Sequence, residues 1–435
     1  MAGNIKEDKK LRKWMRLDNA ALIFPAIRSF RWVNTFRVSV QLSQEIDPVV
    51  LQKAVDELMG RFPTIYVRLG TGLFWYTLVE VRRPPRVRED YAYPLTHMGT
   101  REQRTCCFRV FYYKRRIAAE FFHVITDGTG GMAFIKALAS RYLELVDSFE
   151  LASGKGVLTV REKPSAEETE DAFVKCSGKY AMPRREETAY RLSGTYDATG
   201  FRHLITGILP TDRLLQEAHR LGTTVNGFLC AVMTRCIMDM QAVRVPERRR
   251  RPVKITVPVN LRRLFSVYTL RNFALVLNIG VDPRLKDYTV EEICREYDRQ
   301  TALEAVPEKM AARIAANVLP AKNKLMRFAP LILKNIVMRT VYRNVGENKG
   351  CINISNLGRV DMPEELRPFV ERFDFIIGVQ YTYPNNCSVL SYGGSTYINM
   401  IRNIRETELE RRFFSMLVEM GIPVSIESND TDRQG

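Results

Sequence analysis

Only four histidines occur in this 435-residue chain, at positions 97, 123, 203 and 219. One of them, His123, closes a run of aromatic and β-branched residues and is followed by Val-Ile-Thr-Asp127-Gly128. A histidine at a strand end, ahead of a tight Asp-Gly turn and a helix, is held by backbone on both sides, as a general base must be. An unperturbed imidazole titrates near about pH 6.5, so it is a competent base at neutrality. The pattern also has a purely structural explanation: a hydrogen-bonded histidine at a sheet edge, with Asp127 capping the next helix. Other catalytic signatures are missing from the sequence. There is no GxxxxGK[ST], no G-x-S-x-G, no HExxH and no CxxC pair, which removes a P-loop, a serine-hydrolase elbow and a resident metal site.

The elements around His123 follow from periodicity. Residues 36–42 alternate Phe36, Val38, Val40 and Leu42 with Arg37, Ser39 and Gln41, predicting a half-buried strand. Asp47-Pro48 supplies a helix cap and first-turn proline. Leu51, Ala54, Val55, Leu58 and Met59 then form one helical stripe, which Pro63 stops. Residues 106–113 and 117–122 predict a hairpin around 114–116 that runs into His123. A glycine-rich loop follows, and helix signals resume from about Met132. Residues 148–192 turn polar, with the acidic cluster Glu167, Glu168, Glu170 and Asp171, and predict a crossover.

In the second half, strands are expected at 201–209, 253–258, 274–281, 351–355, 373–380, 387–393 and 396–401. Helices are expected from Thr211 as cap to Gly222 as stop, over 225–240, near 289–300 and 320–342, and over 407–420. This alternation predicts an α/β protein with mixed sheets flanked by helices. Boundaries fall at 1–150 for an N-terminal lobe, 151–195 for a linker and 196–435 for a C-terminal lobe.

Composition sets outer limits. Hydrophobic residues at 46% and charged residues at 26% exclude a disordered chain, a collagen and a coiled-coil rod. Lys+Arg 66 against Asp+Glu 49 gives a net charge of +17, which favours anionic partners. Three such partners are nucleic acid, an anionic membrane surface and a phosphate-bearing small molecule. The basic residues are spread along the chain, which argues against a nucleic-acid interface. The densest run, Arg248–Arg251, is expected to be a solvated loop. The segment Met326–Arg343 is strongly apolar but interrupted by Arg327, Lys334 and Arg339. It fits a membrane surface or a lipid channel wall, and more simply a core helix. Eight scattered cysteines and an N-terminus without a signal-peptide apolar core point to a cytoplasmic protein.

The stretch FFHVITDGTGGMAFIKALASRYLEL resembles the HHxxxDG segment of the chloramphenicol-acetyltransferase-like superfamily. That superfamily includes condensation domains and stand-alone alcohol acetyltransferase-like proteins, and the closest likeness is to the latter. Further resemblances run in the same order along the chain: LQKAVDELMGRFPTIYVRL, LGTTVNGFLCAVM, VPVNLRRLF followed by RNFALVL, and ISNLG at 354–358. The first histidine of the family motif is replaced by Phe122, a position that is generally structural.

The resemblance implies two lobes with a channel between them and acyl transfer from a thioester, acyl-CoA or an acyl carrier protein, to a small alcohol or amine. His123 would be the general base and Asp127 the loop-fixing acid, with Arg262 as its partner. Gly128 and Gly130 would keep the channel floor open. Asn272, Ser355 and Asn356 would line the channel or donate to the oxyanion, or else tie the lobes together. Acyl-CoA would be a co-substrate, with no bound cofactor and no metal. Competing expectations are condensation-type amide or ester formation on a carrier protein, and a non-catalytic scaffold of the same fold. Below these stands a dinucleotide site on Gly128-Thr-Gly130-Gly131-Met-Ala133, which satisfies GxGxxA.

Overall fold

The computed structural model describes residues 13–27, 33–182, 186–322, 328–342, 348–380 and 383–430. Strands β1 (Trp14–Arg16), β3 (Val67–Thr71) and β4 (Tyr76–Glu80) form a small antiparallel sheet in the order β1-β4-β3.

A five-stranded sheet carries the site. It is built from β2 (Thr35–Leu42), β5 (Arg88–Glu89), β6 (Phe108–Tyr113), β7 (Arg116–Phe122) and β12 (Val370–Ile377), in the order β12-β2-β7-β6-β5. The last of these comes from the C-terminal half and pairs antiparallel with β2, Ile377 opposite Phe36. The strand expected at 373–380 is therefore set three residues earlier by its partner's register.

The third sheet has seven strands. β8 (His203–Pro210), β9 (Val253–Asn260), β10 (Ala274–Val281), β11 (Ile352–Arg359), β13 (Asn385–Tyr392), β14 (Ser395–Arg402) and β15 (Ser425–Ser428) are ordered β10-β9-β11-β13-β14-β8-β15. β11 runs parallel to both of its neighbours and the other pairs are antiparallel, so the sheet is mixed.

Helices cover these sheets: α1 (Ile23–Ala26), α2 (Pro48–Glu57), α3 (Gly128–Asp147), α4 (Thr211–Arg220), α5 (Val225–Arg244), α6 (Val290–Glu304), α7 (Pro307–Lys322), α8 (Leu331–Val341) and α9 (Glu408–Glu419). One core joins α2 and α3 to the five-stranded sheet through Phe36, Leu51, Phe108, Phe121 and Phe134. A second joins α5, α6 and α9 to the seven-stranded sheet through Phe228, Ile255, Ile293, Ile398 and Phe413. No single helix among the described residues is long and apolar enough to cross a membrane.

Several local expectations are corrected. β2 is buried on both faces, because Arg37 and Ser39 are also covered. The Arg37 guanidinium survives there by pairing with Asp90 and Glu120, since a buried charge requires a partner. α3 starts at Gly128, four residues before the first helical stripe, because the Asp127 side chain accepts from Thr129 N and Gly130 N and caps it. Thr211 is the first residue of α4, not its cap, and Pro210 precedes it without a side-chain bond. Of the helix expected near 320–342, residues 323–327 lie outside the described residues, as do Met326, Arg327 and Arg343 of the apolar segment.

Candidate active site

The site is assembled where the end of β7 meets the turn between β9 and β10. β7 ends at Phe122, whose ring is buried in the first core. The next residue leaves the ladder, with His123 N donating to Asn34 O at 2.9 Å. Thr126 then ties the loop to the C-terminal half, its hydroxyl donating to Leu270 O at 2.6 Å.

On the opposite side, the segment VPVNLRRLF folds as the end of β9 and one short helical turn. Asn260 caps that turn by accepting from Arg262 N at 3.1 Å. This turns Arg262 toward Asp127, with a bidentate contact at 2.9 and 3.1 Å. Three further donations, to Thr269 O at 2.7 Å, Arg271 O at 2.5 Å and Asn260 Oδ1 at 3.3 Å, complete the guanidinium. Asp127 also accepts from Phe273 N at 2.9 Å. Burial alone would raise the Asp127 carboxyl, but Arg262 and the backbone donors outweigh it and hold the group below its usual range. The structure therefore brings Asp127 and Arg262 together into a clamp that fixes the loop from both halves.

His123 sits partly exposed, its ring stacked on Phe24 at 4.7 Å and edge-on to Phe36 at 5.1 Å. Its Nδ1 lies 2.9 Å from Asn272 Oδ1, and the Asn272 amide donates to His123 O and to Asp18 Oδ2, both at 3.0 Å. That pattern is consistent only if Nδ1 carries the proton and donates it to Asn272. Nε2 then keeps an unpaired lone pair among the described residues. Desolvation lowers the imidazole below its usual value, against the opposing pull of the Asp127 charge and its hydrogen bonds, so the ring is neutral at neutral pH.

Asn272 is therefore a holder of the histidine. Both of its N–H groups are used, and none remains for an oxyanion. Gly130 does not form an open floor either: a methyl there would come within 2.0 Å of Thr126 Oγ1 and 2.3 Å of Leu270 O, so this glycine permits close packing of the two halves. At Gly128 the neighbours are the side chains of Leu357 and Phe375. Ser355 and Asn356 stand on β11 beside Leu357, and Asn356 accepts from Gly358 N at 2.8 Å, a local contact. A cavity of about 400 Å³ opens along α3, walled by Thr129, Met132, Lys136, Val157 and Tyr268; His123 is not on its wall.

Sequence reasoning missed two members of the site. Phe24 stacks on the base, and Asp18 sits fully buried behind Asn272. Burial pushes the Asp18 carboxyl up to about 6, against the lowering effect of Arg271 and Asn272. Arg248–Arg251 is a largely exposed surface segment, as expected of a solvated run. The GxGxxA string does not form a dinucleotide site: β7 is antiparallel to both of its neighbours, whereas that fingerprint needs a parallel βαβ unit.

No protein-family profile matches the chain, and no curated protein matches it in sequence. Solved structures do. TRI101 of F. sporotrichioides, complexed with coenzyme A and T-2, superposes with a TM-score of 0.64 at 10% identity, covering 95% of this chain and 99% of that one. The chain has the chloramphenicol-acetyltransferase-like fold. The first condensation domain of the CDA synthetase aligns with a TM-score of 0.54 at 12% identity, over 95% of this chain and 97% of that chain. The wax ester synthase/diacylglycerol acyltransferase of Marinobacter aquaeolei VT8 aligns with a TM-score of 0.53 at 14% identity, over 94% and 100%. In this two-lobed fold β12 lies in the sheet of the first half, and the His123 loop bonds to Leu270 and Asn272 of the second.

Proposed function

We propose that this protein moves an acyl group from acyl-CoA to the hydroxyl or amino group of a small acceptor. The observation that carries this reading is the His123 ring, held through Nδ1 by Asn272 with Nε2 unpaired among the described residues, on a loop locked by Asp127 and Arg262. The acceptor O–H or N–H gives its proton to Nε2 as the heteroatom attacks the thioester carbonyl. Collapse of the tetrahedral intermediate breaks the C–S bond, and the proton passes from His123 to the departing sulfur. No covalent enzyme intermediate forms, and both substrates are bound together. The +17 charge suits the phosphates of coenzyme A. Eight free thiols, seven of them buried, suit a cytoplasmic setting.

The test is thiol release with purified protein, several acyl-CoAs and a panel of alcohols and amines. A positioned base contributes roughly 10²–10⁴-fold, so His123→Ala should lose at least that much turnover while keeping its melting temperature. Unchanged turnover in that variant removes the mechanism. Release only from acyl carrier protein would assign the condensation chemistry instead.

A further inference from the structure

α8 is folded inside out. Its buried residues are Leu331 and Lys334, and Asn335 is half-buried, whereas Ile332, Leu333, Ile336, Val337 and Val341 face solvent. Ile332 is 77% exposed and Ile336 56% exposed. The inward polar groups are the helix's anchors. Lys334 Nζ donates to Phe74 O at 2.9 Å and lies 3.4 Å over the Trp75 ring, and Asn335 donates to Tyr76 Oη at 2.9 Å. Arg339 donates to Ala26 O at 3.0 Å. Phe328 ahead of the helix and Leu73, whose carbonyl accepts from Leu331 N, extend the apolar face and are equally bare.

A surface helix ordinarily turns its apolar stripe to the core. Here the arrangement is reversed, so the core-helix expectation for this segment fails. We infer that the outer face of α8, with Phe328 and Leu73, rests on an anionic lipid bilayer. A protein partner would be met by about one hydrogen bond per 100–200 Å². This face offers few groups for that: the Thr340 hydroxyl donates to Ile336 O at 3.0 Å, and the Arg339 guanidinium gives its Nε and Nη2 donors to Ala26 O, leaving cationic N–H groups of the kind a lipid phosphate accepts from. An acyl-chain boundary requires no such groups. The charge fits as well, because a net +17 chain carries Lys322, Lys324, Arg327 and Arg343 in the sequence that flanks this apolar segment, and an apolar segment with basic flanking sequence favours anionic headgroups.

The experiment is co-sedimentation of the full chain with phosphatidylcholine vesicles and with vesicles that also contain phosphatidylserine. Binding should be at least tenfold stronger to the phosphatidylserine vesicles and should fall as salt rises. Ile332→Glu combined with Ile336→Glu should lose at least tenfold, while Val49→Glu, equally exposed on α2, should bind like the parent. His123→Ala should also bind fully, so the result stands apart from the fate of the transferase reading. Should the double variant misfold, Ile336→Trp with brominated lipid replaces it, and quenching of the new indole is expected. Absence of vesicle binding, binding unaffected by the double variant, an unquenched Trp at 336, or a solution dimer that the double variant dissolves would each overturn the inference.

Discussion

Asp18 accepts, at 3.0 Å, one N–H of the same Asn272 amide whose oxygen holds the His123 ring. A carboxylate only accepts, so it fixes which end of the amide faces which neighbour. With nitrogen turned to Asp18, oxygen must face Nδ1, and Nε2 is left as the basic position. Asp18→Asn removes that directionality, because the new amide can face Asn272 with either end. Turnover should fall roughly 10- to 100-fold with little change in KM, short of the roughly 10²–10⁴-fold expected for losing the base itself. Steady-state kinetics with separate kcat and KM values checks this; a KM effect alone would mean that Asp18 only shapes the pocket.

The acid limb of kcat/KM should lie below pH 6.5, since burial lowers the His123 imidazole from 6.5. The base is active when neutral, so the rate rises with pH through that value and is flat at neutrality. The same shift links to stability. The unfolded chain takes up the proton first as pH falls, so this group's contribution is full above 6.5 and is lost as pH drops toward the native value. A pH–rate profile with its midpoint at 7 or above would contradict a desolvated His123 as the base.

Arg262→Met leaves Asp127 charged and nearly buried, with three backbone N–H donors but no counter-ion. Breaking a buried pair from one side costs about 3–5 kcal/mol, and the remaining donors place this case near about 3 kcal/mol. Asp127 is depressed in the native state, so its stabilisation is present above its ordinary value of 3.8 and is lost as pH falls below it. Denaturant titrations should therefore show a gap between parent and variant at pH 7 that narrows at acid pH. A gap independent of pH would assign the loss to packing.

Gly130→Ala should destabilise despite the better helix propensity of alanine. The added methyl meets the Leu270 carbonyl at 2.3 Å, a backbone atom that cannot swing aside. Overpacking of this kind costs about 1–3 kcal/mol, more than the ~1 kcal/mol gained from propensity. Gly128→Ala meets only the Leu357 and Phe375 side chains, nearest at 2.8 Å, and should cost less. Melting temperatures of the two variants give the order directly.

Elements written in short-range periodicity were legible. The β6–β7 hairpin, α2, α5 and the position of His123 follow from alternation, stripes and caps within a dozen residues. The pairing of Asp127 with Arg262 was legible through ordered resemblance. What escaped was set by distant partners. Arg37 reads as a solvent-facing strand residue because Asp90 and Glu120 are far away in sequence. Asn272 reads as a channel donor because nothing near it shows that Asp18 and His123 occupy both ends of its amide. Asp18 and Phe24 lie in a stretch whose local signal is only its apolar character. α8 reads as core because periodicity reports which face is apolar, and not whether a lysine has been drawn inward by Trp75.

The edge of β2 is closed by β12, so the sheet that carries the site is left incomplete until Val370–Ile377 has been made. A nascent chain emerging from the ribosome presents an unpaired, hydrophobic strand border until that segment follows. Expression of residues 1–195 alone should consequently yield a sticky fragment, and separately produced halves should become soluble only when mixed.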